Sequence, residues 1–238
     1  MDIEYFRVIK EIQSLNLKIF DHLKNIDDEK ARINYLETKS DESKKSLKIF
    51  QDEKRELTKK LTSLEEEHFE KEKNLSKAKD NLALASDMNQ QNAITKQIEN
   101  LTPVVESLEE EILITLENIE TLDENILDKT TFLDELEETQ FETHQEVETK
   151  CNEENKEVNT LEQRVSGLLN ELTETDKQLI KNTISKFPKR DFLTRANSQK
   201  KCDKCKFTLD AQTYSSISEL KSIELCTSCK RVMIPENV

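Results

Sequence analysis

Ala85-Ser86-Asp87-Met88-Asn89-Gln90 separates two long runs of heptad periodicity. The Leu/Lys pattern fades there, and Ser, Asp and Asn cluster. Their short polar side chains bond nearby backbone and so favour caps and turns. Before this stretch one frame runs unbroken from Tyr5 to Leu82. One seam row begins Tyr5, Ile12, Ile19, Ile26 and Ile33, and the other begins Val8, Leu15, His22, Glu29 and Leu36. Sixteen of the 23 seam positions are apolar, enough to bury a stripe against a second helix. As a helix this arm would be ~115 Å long. After the stretch a second frame runs through Ile94, Ile98, Leu101 and Val105 to Leu136. Beyond Val147 the best frame moves to Cys151, Glu154, Val158 and Leu161, a four-residue stutter that unwinds a supercoil locally. Pro103 interrupts helix hydrogen bonding near the start of this arm, with Thr102 placed to cap a restarted or kinked helix.

Two arms of similar length joined by a short turn make an antiparallel hairpin the simplest arrangement, because each arm covers the other's stripe. A dimer of straight rods would need the turn itself to be helical. The expected fold is mainly α: a long antiparallel coiled-coil hairpin over residues 1–186, followed by a small C-terminal β zinc ribbon. Helix 1 is expected over about 3–84, a turn over about 85–91 and helix 2 over about 92–186. Pro188 disfavours helix in the residue before it.

Composition agrees. Of 238 residues 34% are hydrophobic and 36% charged, with one glycine, Gly167, and no Trp. A turn-rich compact domain needs more glycine than that, whereas long helices do not. No run is apolar enough to span a membrane, so no membrane association is expected. The acidic start Met1-Asp2-Ile3-Glu4 lacks the features of a signal peptide. A cytoplasmic protein is expected, where thiols stay reduced. Its oligomeric state, monomer or homodimer, is open. The net charge of −14 is uneven. From Lys186 onward eleven Lys and Arg face six Asp and Glu, a balance of +5; the remaining 25 basic and 44 acidic residues give −19.

The C-terminal fifth holds Cys202-Asp203-Lys204-Cys205 and Cys226-Thr227-Ser228-Cys229. Two Cys-x-x-Cys pairs at this separation are a four-thiolate zinc pattern. So short a segment cannot bury enough surface to fold alone, and the metal would supply the missing free energy. One structural Zn2+ is expected, held by Cys202, Cys205, Cys226 and Cys229. Disulfides fit a reducing compartment poorly, and a redox Cys-x-x-Cys belongs at a helix start in a βαβ context. Residues 202–238 would form the ribbon, with two short extended pieces between the pairs, and 187–201 a basic neck. Cys151 falls in the seam and reads as a small apolar residue. His22 and His68 read as polar seam slots.

No Gly-rich phosphate loop, nucleophile motif or paired His and carboxylate accompanies the cysteines, and four thiolates leave zinc no open position. No enzymatic activity is expected. The acidic arms suit a protein partner. The cations Lys189, Arg190, Arg195, Lys200, Lys201, Lys204, Lys206 and Arg231 offer phosphate contacts instead, so nucleic acid, RNA or DNA, is the second candidate.

Two stretches carry a family resemblance. Asn92-Ala93-Ile94-Thr95-Lys96-Gln97-Ile98 resembles the Ala-Leu-x-x-Glu-Ile with which the bacterial C4-type zinc-ribbon proteins leave their coiled-coil hairpin turn. Cys226-Thr227-Ser228-Cys229-Lys230-Arg231-Val232-Met233-Ile234 resembles that family's Cys-x-x-Cys-Gly-Arg-Ile-Leu ending, with Lys230 where the family carries Gly. The resemblance implies the four cysteines as zinc ligands. It also implies an adaptor or chaperone around the sigma-54 transcription factor, flagellar gene expression or type III secretion, in a family regarded as nucleic-acid binding.

Overall fold

The computed structural model describes all 238 residues. Helix α1 spans Ile3–Leu84 and α2 spans Met88–Asn170. They pack against each other as a hairpin, as the two frames predict. The predicted rows are the ones that lose solvent. Ile12, Ile19, Ile26, Leu64, Leu75 and Ala78 on α1, and Val105, Leu108 and Leu136 on α2, are all buried. Lys150 and Cys151 are both half-buried, as expected where the frame shifts by a residue. Ion pairs between the arms follow one antiparallel register. Glu11 meets Arg164, Glu29 meets Lys150 and Lys54 meets Asp123, so α2 numbers fall as α1 numbers rise. His22 pairs with Glu154 and His68 with Glu109, which makes both seam histidines interhelical contacts. Pairs left partly open to solvent add little stability.

The turn is tighter than expected. Only 85–87 lie outside helix, and Gln91 Nε2 donates to the Ala85 carbonyl at 2.8 Å. At Pro103 the helix continues. Thr102 does not cap; its hydroxyl donates to the Ile98 carbonyl at 2.9 Å.

Helix 2 does not run to 186. It stops at Asn170, and α3 begins at Glu174 and ends at Ile184. Thr173 caps α3, its hydroxyl accepting from the Asp176 N–H at 3.3 Å. The Asp176 carboxylate accepts from the Thr173 hydroxyl at 2.8 Å and from the Tyr5 hydroxyl at 2.6 Å. This cap accounts for the break, since Thr173-Glu174-Thr175-Asp176 is a Thr-x-x-acid start signal.

The expected neck is also structured. Leu193–Ala196 forms β1, which pairs parallel with β3, Val232–Pro235. Strand β2, Glu224–Leu225, pairs antiparallel with β3, giving a sheet of order β1-β3-β2. Between the cysteine pairs lies helix α4, Ala211–Ser218, in place of a simple extended pair. Asp210 caps it, accepting from the Thr213 N–H at 2.8 Å.

The chain forms two compact units. One comprises 1–33 with 143–238, the other 34–142. In the first unit β3 separates two cores. Val232 and Ile234 join a core with Phe6, Ile9, Ile12, Val165, Ile180 and Phe192. Met233, one residue between, joins Ala196, Cys202, Leu209, Ile217 and Cys226. The alternation is the period of two of any strand. Gln13, buried on α1, ties this sheet to the hairpin by accepting from the Phe192 and Leu193 N–H groups at 2.9 and 3.0 Å.

Candidate metal centre

The four cysteines arrive on two copies of one turn. In the first, Lys206 N–H donates to the Cys202 carbonyl at 2.8 Å and Cys202 N–H to the Phe207 carbonyl at 3.0 Å. In the second, Lys230 N–H donates to the Cys226 carbonyl at 2.8 Å and Cys226 N–H to the Arg231 carbonyl at 2.9 Å. Both turns close on a left-handed lysine, with φ of 60° at Lys206 and 62° at Lys230. The position that carries Gly in the resembling family keeps its left-handed backbone here with a side chain attached.

These turns bring all four sulfurs within 4.8 Å of one another. Cys202 Sγ lies 3.8 Å from Cys229 Sγ, and Cys205 Sγ lies 3.6 Å from Cys226 Sγ. A tetrahedron with Zn–S of ~2.3 Å has edges of ~3.8 Å, so the donor set fits zinc in size and in chemistry. The separations are far too long for S–S bonds. Each close pair joins one cysteine from each turn, which would staple the two halves of the ribbon together.

The sulfurs differ in setting. Cys202 and Cys226 are buried, Cys229 is half-buried and Cys205 is exposed. Burial pushes the Cys226 thiol up to about 12 despite nearby N–H groups of Cys229 and Ser228. At Cys205 burial opposes ionisation. The Phe207 N–H and the sulfurs of Cys202, Cys226 and Cys229 outweigh it and bring the thiol down to about 6. Thr194 supplies a contact that spacing could not foresee. Its hydroxyl lies 3.3 Å from Cys202 Sγ and accepts from the Lys204 N–H at 3.3 Å. A hydroxyl held against the sulfur in this way fixes its orientation.

The eight expected phosphate-binding cations divide into two sets. Arg190 donates to Asn16 Oδ1 and Glu162 Oε1, each at 3.3 Å. Lys204 donates to Asp191 at 2.8 Å. Arg231 donates to the Asp191 carbonyl at 2.8 Å and lies over the Phe187 ring at 4.6 Å. Lys200 lies over the Tyr214 ring at 5.7 Å. Lys189, Arg195 and Lys206 are exposed and Lys201 half-buried, and their side chains have no ion pair. No helix is long and apolar enough to cross a membrane.

No family model and no curated protein matches the chain. Solved structures do. CT398 of Chlamydia trachomatis aligns over 98% of both chains with a TM-score of 0.75 at 14% identity. The HP0958 protein of Helicobacter pylori covers 99% of this chain and 98% of its own, with a TM-score of 0.70 at 16% identity. A Mycobacterium smegmatis protein covers 98% and 99%, with a TM-score of 0.62 at 16% identity. At such identities the likeness is one of fold.

Proposed function

We propose that the chain is a non-enzymatic, zinc-binding adaptor of the bacterial C4 zinc-ribbon class, holding a protein partner on its helical hairpin. One observation carries this reading. Leu113, Leu127 and Phe141 stand exposed two heptads apart on α2, outside the seam, with Glu120 and Asp134 at the positions between. Single exposed apolar residues are ordinary, but these recur at whole heptads and so share one face of the hairpin, where a partner can take them as anchors. Tyr35 and Ile49 repeat the pattern on α1 around Glu42. The family resemblance supplies the class of partner: a sigma-54-type transcription factor or a flagellar or type III secretion component. The zinc is structural, since four thiolates close its coordination.

Nucleic acid is the second reading. Exposed Phe207 beside Lys206 favours it, as an aromatic next to a cation suits base stacking. The adaptor ranks first because Lys204 and Arg231 already bind within the fold.

A fragment ending at 186 would uncover Phe6, Ile9 and Ile12, so the full chain is the reagent. Capture from lysate is compared for wild type, for Leu113→Glu/Leu127→Glu/Phe141→Glu and for Lys189→Glu/Arg195→Glu/Lys201→Glu/Lys206→Glu, with and without nuclease. A protein partner that survives nuclease and is lost with the first variant is the expected result. Loss with nuclease and with the second variant alone overturns the adaptor. Metal analysis of the same preparation should find one zinc per chain, absent from Cys226→Ser/Cys229→Ser.

A further inference from the structure

A cleft of about 520 Å³ opens in the first unit where α1, α2, α3 and the loop after α3 meet. It shares no residue with the cysteine cluster or with the exposed row on α2, and it is within the size range of small-ligand sites. Its walls are apolar: Ile19, Val165, Leu169, Ile184 and Phe187. Beside them stand Asn16, Ser166 and Ser185, and its charged groups are few and lean to one sign. Arg190 and Lys181 give two positive charges against one from Glu162, in a chain whose net charge is −14.

Arg190 is held there at a cost. Its φ is 53°, a left-handed conformation that a side chain makes unfavourable. Its guanidinium meets Asn16, a residue only 1% exposed, and pairs with Glu162. Both contacts are long, at 3.3 Å, and a guanidinium has five N–H donors. Donors therefore remain for a further acceptor. Lys181 stands exposed at the rim with no ion pair. Strained residues of this kind gather at binding sites.

We propose that this cleft binds a small amphipathic carboxylate, with the carboxylate on Arg190 and Lys181 and an aliphatic or aromatic body against Ile19, Val165, Leu169, Ile184 and Phe187. The head group follows from the donors. A carboxylate accepts two parallel N–H bonds from a guanidinium, which a hydroxyl cannot do. An amine is repelled by the same pair of cations. The inference stands apart from the adaptor reading, and either can fail alone.

The test uses the zinc-loaded full chain and three probes of one length: octanoate, octanol and octylamine. Calorimetry gives affinity, and methyl NMR of Ile19 and Ile184 gives location. Octanoate should bind once per chain and shift both methyls, with octanol about tenfold weaker and octylamine weaker still. Ser166 is exposed at the mouth, so Ser166→Trp should block the cleft without disturbing the helix. Arg190→Gly suits the left-handed backbone and should abolish the preference for octanoate while the fold survives. Equal affinity for octanoate and octanol overturns the proposal. So does octanoate binding that Ser166→Trp leaves unchanged, or that leaves both methyls unmoved.

Discussion

Lys206 and Lys230 hold the positions on which both metal turns close. A left-handed lysine costs about 1–2 kcal/mol relative to the ordinary helical region, and glycine escapes that cost at some loss of chain entropy. Lys230→Gly should therefore keep its zinc and leave stability unchanged or raised by up to about 1 kcal/mol. Lys230→Val should lower it by more, since a β-branched residue fits this region worst. Thermal denaturation of the zinc-loaded protein separates the two. That the four cysteines come together was legible because their spacing is itself the chemical constraint. The left-handed lysines were hidden because glycine is the usual marker of that backbone; only the repeated Cys-x-x-Cys-Lys pointed to them. Thr194 was not legible at all. It reaches Cys202 across a tight reversal closed by the antiparallel bridge of Ala196 with Cys202, which the cysteine spacing does not announce.

At the scale of elements, periodicity read well and short pieces read poorly. The seam of α1 and α2 repeats over many turns, so each position confirms its neighbours. Strand β1 has four residues and sat within what read as a basic neck, because Lys189, Arg190 and Arg195 outweighed Leu193 and Ala196 in the reading. The α3 start had a signal, Thr173 to Asp176, that the continuing apolar rhythm of Leu172 and Leu179 masked. The two cores on either side of β3 predict how the ribbon answers to metal. Chelation should speed amide exchange at Cys202, Leu209 and Ile217, on the metal side. Phe192, Leu193 and Val232 should stay protected by the hairpin side. Uniform exchange across both sets would contradict the division. Acid should act in the same direction as chelator. Zinc must displace the thiol protons, and Cys226, pushed up to about 12, is protonated throughout the neutral range. Cys205, down at about 6, is already ionised above that pH and regains a proton below it. Zinc affinity should thus fall as pH falls, most steeply below about 6, as read by competition with a zinc-binding dye from about pH 8 to about pH 5.

Over the whole molecule the two units differ in what they ask of the chain. The unit at 34–142 is built from two helices joined by a three-residue turn, so its pairings grow outward from neighbours in sequence. The unit holding both ends brings Phe6 and Ile9 into one core with Val232 and Ile234, and Lys10 donates to the Val238 carbonyl at 2.9 Å. Contacts between residues so far apart form late and slowly, because loop closure must come first. Refolding followed by pulsed hydrogen exchange should protect Leu64, Leu75, Val105 and Leu108 before Phe192 and Val232. The reverse order would refute this. The strand that divides the two cores therefore also sets a schedule. Phe6, Ile9 and Ile12 leave the ribosome more than two hundred residues ahead of Val232 and Ile234. The returning arm can cover them in part, but their cover is complete only once β3 has followed.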